Sequence, residues 1–302
     1  MGVLQAVQPG LARAVLAAAA LWLIATAPAA ASESRWFTTS DGVRLHYLEA
    51  GPPGAQTVVF IPGWTMPAWI WERQFAALEG RFHVLALDPR GQGLSEVAPF
   101  GYAAERRGRD IAELLDHATT GRVVMVGWSL GVLDTLAMIA AEGDDRIAGL
   151  VLVDNSIGEG PAPASRPRPA VDNRPSPTPE QRAAMRAAFV DSLFVRDPGP
   201  DFRRRLTEAA LRMPPDDERR LLAYDTPRTV WRDAVHSTEA PVLYAVRPRF
   251  QAQGRALKAA RADVQVEVFD RAGHALFVDE PERFNALLID FLDRRAAWEL
   301  RP

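Results

Sequence analysis

Residues 123–131 have the sequence VVMVGWSLG, and this stretch decides the fold class of the chain. A continuous run of apolar, mostly β-branched residues predicts a strand that is buried on both faces, as in a parallel sheet. The G-x-S-x-G pattern that follows predicts a sharp turn from this strand into a helix, with Ser129 at its apex. Gly127 and Gly131 lack the Cβ atoms that would collide where the chain reverses. We therefore expect an exposed, nucleophilic Ser129; the alternative is a serine that only caps a helix.

Seven further segments have the composition of strands, and helical patterns separate most of them. The predicted strands, in chain order, are WFTTS, VRLHYLEAG, TVVFIPG, FHVLALD, VVMVGW, AGLVLVD, PVLYAVR and VQVEVFD. The helical patterns fall near residues 68–79, 103–118, 131–142, 251–261 and 280–297. Alternation of this kind is typical of an α/β fold with a mostly parallel sheet. No long connection separates the first two strands, so we expect them to pair antiparallel.

The alternation of strands and helices stops after Asp154. Residues 158–180 are rich in proline, which favours an irregular excursion, and residues 180–235 contain helical patterns without a strand pattern. A strand pattern resumes at Pro241. The predicted divisions are a signal segment (1–31), two parts of one core (32–156 and 239–302), and a proline-rich linker with a helical lid (157–238).

The first 31 residues differ in composition from the rest of the chain. Arg13 is their only basic residue, and the apolar run from Ala14 to Ile24 is shorter than a membrane span. Small residues provide A-x-A cleavage patterns that end at Ala29 and Ala31. These features predict a signal peptide and a periplasmic or secreted mature protein without a stable membrane span. The alternative is an uncleaved membrane anchor.

Charge and cysteine content exclude some classes of function. The 302-residue chain has a net charge of −3, with both signs spread along it, and it contains no cysteine. This charge gives no global electrostatic attraction to nucleic acid or an anionic membrane, and the lack of cysteine excludes a thiolate nucleophile. Arginines of the predicted lid are interleaved with acidic residues, which favours a solvated face over a site for an acidic substrate. A small-molecule substrate fits this composition better.

His274 is the best placed of the five histidines to act as a base. It lies in the sequence AGH, between the last predicted strand and a helix that begins near Pro281. A neutral imidazole on such a loop can accept the proton of Ser129 and later protonate a leaving group at neutral pH. The other four histidines fall in strands, at a helix end or at the edge of the lid, where packing roles are expected.

Four stretches together resemble lid-bearing serine hydrolases of the α/β-hydrolase superfamily. They are FIPGWTMPAWIW at 60–71, LDPRGQGLS at 87–95, VGWSLG at 126–131 and AGHALFVDEPERF at 272–284. The resemblance extends over nearly all of the chain from Trp36 onward. It implies an α/β-hydrolase fold, with an eight-stranded, mostly parallel sheet flanked by helices and a helical lid after the sixth strand. It also implies an esterase-like activity that uses neither a metal nor an organic cofactor.

The same resemblance implies two donors for a negatively charged oxygen. The backbone N–H groups of Trp64 and Leu130 would form the oxyanion hole of a tetrahedral intermediate. Pro62 stands where such hydrolases usually have histidine, and this exchange leaves the Trp64 amide intact. Asp88 and Arg90 resemble the scaffold residues that tie loops together near the site in this family.

The acidic partner of His274 is not where the resemblance places it most often, after the seventh strand. Arg247 and Arg249 occupy that segment, and no Asp or Glu occurs between Glu239 and Asp263. Some relatives, haloalkane dehalogenases among them, carry the acid at the end of the sixth strand, which is the place of Asp154. A histidine base needs a partner that fixes its tautomer, so we expect Asp154 in this role. The alternative is a strand-end aspartate with a structural role only.

These residues predict a serine hydrolase that cleaves an apolar carboxylic ester through an acyl-enzyme intermediate. Ser129 attacks, His274 is base and then acid, Asp154 orients the imidazole, and the two amides bind the oxyanion. Dehalogenation is disfavoured because it needs a carboxylate at the position of Ser129. Two alternatives stay open: other chemistry on the same frame (thioester, lactone, peptide or carbon–carbon hydrolysis, or cofactor-free perhydrolysis), and a hydrolase fold that only binds.

Overall fold

A computed structural model describes residues 2, 32–160, 177–222 and 226–299 of the chain, with side chains up to residue 294. The predicted signal segment, apart from Gly2, lies outside these residues, as does most of the proline-rich linker. The prediction of a periplasmic or secreted location therefore stays a prediction.

The described part of the chain forms one eight-stranded sheet. Its strands are β1 (Glu33–Thr38), β2 (Arg44–Ala50), β3 (Thr57–Ile61), β4 (His83–Asp88), β5 (Val123–Trp128), β6 (Ile147–Val153), β7 (Val242–Val246) and β8 (Gln265–Val268). Their order in the sheet is β1-β2-β4-β3-β5-β6-β7-β8. The β2 strand runs antiparallel to both of its neighbours, whereas β3 to β8 run parallel. The expected antiparallel pair at the start of the sheet is confirmed.

Helices cover both faces of the sheet, because the central strands are apolar on both sides. The helices are α1 (Glu72–Leu78), α2 (Ala104–Ala118), α3 (Leu130–Glu142), α4 (Pro179–Asp191), α5 (Pro200–Ala210), α6 (Pro215–Leu221), α7 (Arg228–Ser237), α8 (Gln251–Ala260), α9 (Leu276–Asp279) and α10 (Pro281–Glu299). On one face α1 and α10 pack with buried side chains such as Phe75 and Phe284. On the other face α2, α3, α7 and α8 pack through residues such as Leu114 and Leu257. This architecture confirms the predicted fold class.

Four helices, α4 to α7, connect β6 with β7. The α4 helix begins with a capping box, in which the Thr178 hydroxyl accepts from the Gln181 amide and the Gln181 side chain accepts from the Thr178 amide. Contacts from α4 and α6 reach the loop after β3: Arg186 of α4 stacks on the Trp64 ring, and the Trp64 indole donates to the Glu218 carbonyl of α6 at 2.9 Å. The α7 helix instead buries Trp231 and Val235 against the sheet. Within the predicted lid segment, α4 and α6 thus cover the carboxyl ends of the strands, and α7 belongs to the flank.

None of the helices in the described ranges is both long enough and apolar enough to cross a bilayer.

Candidate active site

Ser129 lies on a strained turn between β5 and α3. Its backbone has φ 54° and ψ −118°, which a non-glycine residue rarely adopts. A Cβ on Gly127 would come within 2.6 Å of the Gly131 carbonyl oxygen, and one on Gly131 within 2.3 Å of the Ile61 carbonyl oxygen. The two glycines are therefore required for the turn to close, and the partly exposed Ser129 side chain stands at the carboxyl edge of the sheet.

Ser129, His274 and Asp154 lie in one chain of hydrogen bonds. The Ser129 Oγ is 2.8 Å from His274 Nε2, and His274 Nδ1 is 2.6 Å from Asp154 Oδ2. Because a carboxylate can only accept, Nδ1 carries the imidazole proton and Nε2 accepts from the serine hydroxyl. Asp154 is only 1% exposed, and burial alone would raise its pKa. The hydrogen bond and charge of His274, together with Arg247, outweigh burial and hold that pKa below 3.8.

The backbone around Asp154 is fixed by the ends of two neighbouring strands. Asp154 has a positive φ of 47°, and its amide donates to the Ala245 carbonyl on β7 at 3.0 Å. The Asn155 side chain donates to the Ser129 carbonyl at 2.7 Å, and the Tyr244 hydroxyl donates to the Asn155 carbonyl at 2.6 Å. A positive φ at a buried aspartate is maintained only when its surroundings enforce it. The Ser129 amide also donates to the Val153 carbonyl at 2.9 Å, so the segments that carry Ser129 and Asp154 are held together.

Arg247 is the residue that the sequence interpretation missed. Its amide donates to Asp154 Oδ1 at 2.9 Å, and its Nε donates to Asp154 Oδ2 at 2.6 Å. Its Nη2 lies 3.3 Å from His274 Nδ1, which is an approach of two donors because Nδ1 already donates to Asp154. Arg247 stands after β7, where an acid was expected, and it binds Asp154, the acid that follows β6. The sequence did contain a signal for this contact: an arginine stands after β7, where an acid was expected, and the candidate acid Asp154 follows the neighbouring strand.

The loop that carries His274 is anchored on both sides. Trp128, the residue before Ser129, donates from its indole to the His274 carbonyl at 2.8 Å. Asp279 accepts from the Gly273 amide at 2.6 Å and from the Val195 amide at 2.9 Å. The loop is thus tied to the β5 turn and to the connection between α4 and α5. Since Asp279 is 3% exposed, these anchors are shielded from water.

The predicted oxyanion donors are the amides of Trp64 and Leu130. Leu130 follows Ser129 directly, and Gly63, the residue before Trp64, lies against Ser129, because a Cβ on Gly63 would come within 3.0 Å of the Ser129 Cβ. Among the described residues, neither amide is paired with an acceptor. Gln92 braces the loop of Trp64, because its side chain accepts from the Thr65 amide at 2.5 Å and donates to the Gly63 carbonyl at 3.2 Å. Gln92 is buried, so the loop keeps its shape although Pro62 replaces the usual histidine.

A cluster of buried apolar side chains, here named the apolar wall, packs against Trp64 next to these amides. A buried ion pair from α4 and α6 lies beside it. Arg186 stacks on the Trp64 ring at 4.5 Å and pairs with Glu218 at 2.7 Å. Burial lowers the pKa of Arg186, and the neighbouring Glu218 opposes that effect. The apolar side chains that pack together with Trp64 are Tyr102, Leu130, Met213 and Leu221.

Two other carboxylates, one shortly after Ser129 and one shortly before His274 in the sequence, are not bonded to His274. Asp134 is buried in a pair with Arg107, with a shortest distance of 2.8 Å, and Asp270 is exposed. Arg90 fills its predicted scaffold position and donates to Asp110 at 2.8 Å. Within the described ranges, no cluster of three or more His, Asp or Glu side chains is arranged to hold a metal ion.

Comparison with known proteins identifies the family. A model of the alpha/beta hydrolase family matches residues 58–287. A Variovorax paradoxus protein that carries the name carbamate hydrolase RutD is 33% identical over 84% of this chain and 97% of its own length. An N-formylmaleamate deformylase of Pseudomonas putida is 28% identical over 84% of this chain and 95% of its own. A solved structure named as an aryl esterase of Burkholderia cenocepacia has a TM-score of 0.75 and 26% identity, covering 88% of this chain and 100% of that one. The chain belongs to the alpha/beta hydrolase family, and it is a hydrolase.

Proposed function

We propose that this hydrolase cleaves carboxylic esters of small apolar molecules through an acyl-enzyme intermediate. The observation that carries the proposal is the chain Ser129 to His274 to Asp154, with hydrogen bonds of 2.8 and 2.6 Å, next to two amides without a partner among the described residues. A nucleophile, a base with a fixed tautomer and two converging donors are the parts that acyl transfer requires.

In the proposed mechanism the imidazole moves one proton in each half of the reaction. Ser129 Oγ attacks the acyl carbonyl while His274 Nε2 takes the hydroxyl proton, and the Nδ1 proton stays on its bond to Asp154. The amides of Trp64 and Leu130 bind the oxyanion that forms. His274 then protonates the leaving alkoxide, and the C–O bond to it breaks. A water molecule, deprotonated by the same nitrogen, releases the acid from Ser129.

The wall beside the two amides supports an apolar substrate. Its side chains include Leu130, Met213 and Leu221, and all of these are at most 3% exposed. Arg186, which stacks on Trp64, lies 2.7 Å from the Glu218 carboxylate, and Arg182 pairs with the same carboxylate, so both guanidinium groups are held in one ion cluster. An aryl or alkyl ester fits the apolar side chains better than an anion does, because an anion would lose its hydration against them.

Hydrolysis of an amide-type acyl bond is the second candidate. Two relatives that align with 84% of this chain carry the names of a carbamate hydrolase and an N-formylmaleamate deformylase. Both names describe attack on a carbonyl next to nitrogen, for which the same nucleophile and oxyanion donors serve. The two candidates differ in the leaving group, because an amine must be protonated before it departs and an alkoxide leaves more readily.

A substrate panel and a covalent probe test the proposal together. We expect p-nitrophenyl esters to be turned over, with a dependence on chain length, and N-formyl amides and carbamates to be turned over more slowly. A fluorophosphonate should inactivate the wild type by labelling Ser129, whereas Ser129→Ala should show no ester turnover. Faster turnover of the amide or carbamate favours the second candidate. A correctly folded wild type that neither reacts with the probe nor turns over any panel member contradicts both.

A further inference from the structure

A second chain of hydrogen bonds joins a serine, a histidine and an aspartate. It lies near the edge of the sheet formed by β1, β2 and β4, whereas β6, β7 and β8 form the other edge. Ser34 Oγ is 2.5 Å from His46 Nε2, and His46 Nδ1 is 2.7 Å from Asp88 Oδ2. Ser34 belongs to the edge strand β1, His46 to β2, and Asp88 is the last residue of β4. None of these residues takes part in the Ser129 chain.

The pairing register of the strands sets this arrangement. Trp36 lies opposite His46 in the β1–β2 pair, so Ser34 is a diagonal neighbour of His46 on the same face. In the β2–β4 pair His46 lies directly opposite Asp88. Because successive side chains alternate between the faces of a sheet, the three groups meet on one face. The chain therefore results from backbone pairing and does not depend on one flexible side chain.

The bonds to Asp88 fix the direction in which His46 donates. The Asp88 carboxylate also accepts from the Ala68 amide at 2.5 Å and from the Leu94 amide at 2.7 Å. With donors already on both oxygens, Asp88 takes the Nδ1 proton of His46 as an acceptor, which leaves Nε2 to accept from the Ser34 hydroxyl. Asp88 and His46 are each 2% exposed, while Ser34 is exposed. An accessible hydroxyl thus faces a buried base.

An apolar cavity of about 280 Å³ lies next to this hydroxyl and includes Ser34, His46 and Asp88 in its lining. Leu48, Trp69 and Leu94 supply much of its apolar surface, and Ala209 closes it from the α5 helix. The cavity also contains one cationic group, the guanidinium of Arg212, which donates to the Ser95 carbonyl at 2.7 Å. Its size and lining suit the acyl part of a small ester.

A scaffold role accounts for only some of these contacts. Two backbone amides donate hydrogen bonds to Asp88, and they tie the segments around Ala68 and Leu94 to the end of β4, as the sequence led us to expect. They do not require an imidazole whose second nitrogen accepts from an exposed serine beside a cavity. Those features are the ones that activate a nucleophile.

We propose that Ser34 is a second nucleophilic serine, which takes an acyl group from an activated apolar ester bound in this cavity. The Ser34 oxygen forms a bond to the acyl carbon as its proton moves to His46 Nε2. The C–O bond to the leaving group then breaks, and the departing alkoxide or phenoxide takes that proton. The ester supplies the acyl group, so no other reactant is needed.

The adduct on Ser34 should persist rather than turn over. The nearby amides of Ala68 and Leu94 already donate to Asp88, so they cannot bind an oxyanion as the amides next to Ser129 are expected to do. The Arg212 guanidinium provides one positive charge at the cavity wall. Acylation by a good leaving group is therefore feasible, whereas hydrolysis of the resulting alkyl ester is slow.

The experiment uses Ser129→Ala protein treated with p-nitrophenyl butyrate, followed by peptide mapping of the acylated residues. Ser40 is the matched control, because it is also exposed and its hydroxyl donates to the Glu113 carboxylate at 2.6 Å without an imidazole. Cleavage after Arg35 places the two serines on different peptides. We expect Ser34 to be acylated about 100-fold faster than Ser40, the range that a positioned general base contributes.

The hydrogen-bonded chain from Ser34 through His46 to Asp88 is called the relay. Two further variants in the same background test whether the reactivity of Ser34 depends on this relay and the cavity or only on the exposure of its hydroxyl. His46→Gln should slow acylation of Ser34 by about 100-fold, because it removes the base. Ala209→Trp keeps the relay and fills the cavity, so it should also reduce acylation, and it serves if His46→Gln does not fold. Acylation of Ser34 at the rate of Ser40, or at an undiminished rate in both variants, overturns the proposal. Since Ser129 is absent throughout, these outcomes do not depend on the proposed function of the first site.

Discussion

Two serine–histidine–aspartate chains occur in this molecule, and their hydrogen bonds are nearly the same length. The bonds measure 2.8 and 2.6 Å at Ser129, and 2.5 and 2.7 Å at Ser34. The surroundings differ. Ser129 stands on a turn with φ 54° before the first residue of α3, whereas Ser34 lies within the edge strand β1. A serine on such a turn is adjacent to the amides of a helix start, and a serine within a strand is not.

The relay and the oxyanion donors are separate requirements for turnover. A relay makes a hydroxyl nucleophilic, and donors aimed at the developing charge lower the barrier for both acylation and deacylation. The region around Ser129 combines the two, and the region around Ser34 has only the relay. We therefore expect turnover at the first region and a lasting adduct at the second.

The largest expected effect comes from removing the acid of the first region. Asp154→Asn should leave the fold intact but lower kcat by roughly 10⁴-fold, because an amide favours the wrong imidazole tautomer. Steady-state kinetics with a p-nitrophenyl ester measure this change. Asp88→Asn is the matched variant in the second region, and we expect it to change the thermal unfolding midpoint much more than kcat. Near-normal turnover in Asp154→Asn would return Asp154 to a structural role.

A smaller effect is expected at the arginine that holds this acid. Arg247→Met removes the Nε donor of Asp154 but keeps the amide that donates to Oδ1, so the carboxylate loses one of its two ties to residue 247. We expect kcat to fall by about 10- to 30-fold, because a displaced Asp154 would orient His274 less well, and misplacement of a catalytic group lowers the rate by up to about 10²-fold. Measurement of kcat and KM separately should show KM nearly unchanged. An equal loss in Arg249→Met, a nearby exposed arginine, would show that the effect is not specific.

The brace of the oxyanion loop should matter to a similar or slightly lesser degree. Gln92→Ala removes both the acceptor of the Thr65 amide and the donor to the Gly63 carbonyl. We expect about a 10-fold loss in kcat, which is part of the 10²–10³-fold cost of deleting one oxyanion donor. The rate of acylation of Ser34 should not change. A loss confined to thermal stability, with kcat preserved, would contradict this role.

The smallest effect concerns stability and pH. Because the folded pKa of Asp154 lies below its ordinary value of 3.8, the ionised carboxylate stabilises the fold above that value. The contribution is lost as the pH falls through the lowered folded pKa. The difference in free energy of unfolding between wild type and Asp154→Asn, on the order of 1–3 kcal/mol at neutral pH, should therefore shrink below about pH 4. Urea denaturation at several pH values measures it, and a difference that grows on acidification would have the wrong sign.

The sequence predicted the parts of the site that depend on local pattern. Ser129 follows from a strand, two glycines and a helix start, and His274 from its position after the last strand. Asp154 was predicted as the acid because Arg247 and Arg249 occupy the segment after β7, where the acid most often lies. The three side chains meet in the structure as the interpretation required, and their catalytic role stays a proposal.

The contributions of Arg247, Gln92 and the second relay did not follow from the sequence. Each depends on contacts between segments far apart in the chain, such as those of His46 and Asp88, which are 42 positions apart. Strand register and loop conformation decide those contacts, and a one-residue change in the pairing of β2 would turn His46 to the other face. Local periodicity contains no information about that pairing.

The most direct test of the central claim is a pre-steady-state measurement of p-nitrophenol release from an activated ester. We expect the wild type to release about one equivalent in a rapid burst before steady turnover, with the acyl group recovered on the peptide that contains Ser129. Ser129→Ala should show no rapid burst, only the slow acylation of Ser34. A wild-type burst that survives in Ser129→Ala, or recovery of the rapidly formed adduct on any other residue, would contradict the assignment of Ser129 as the nucleophile.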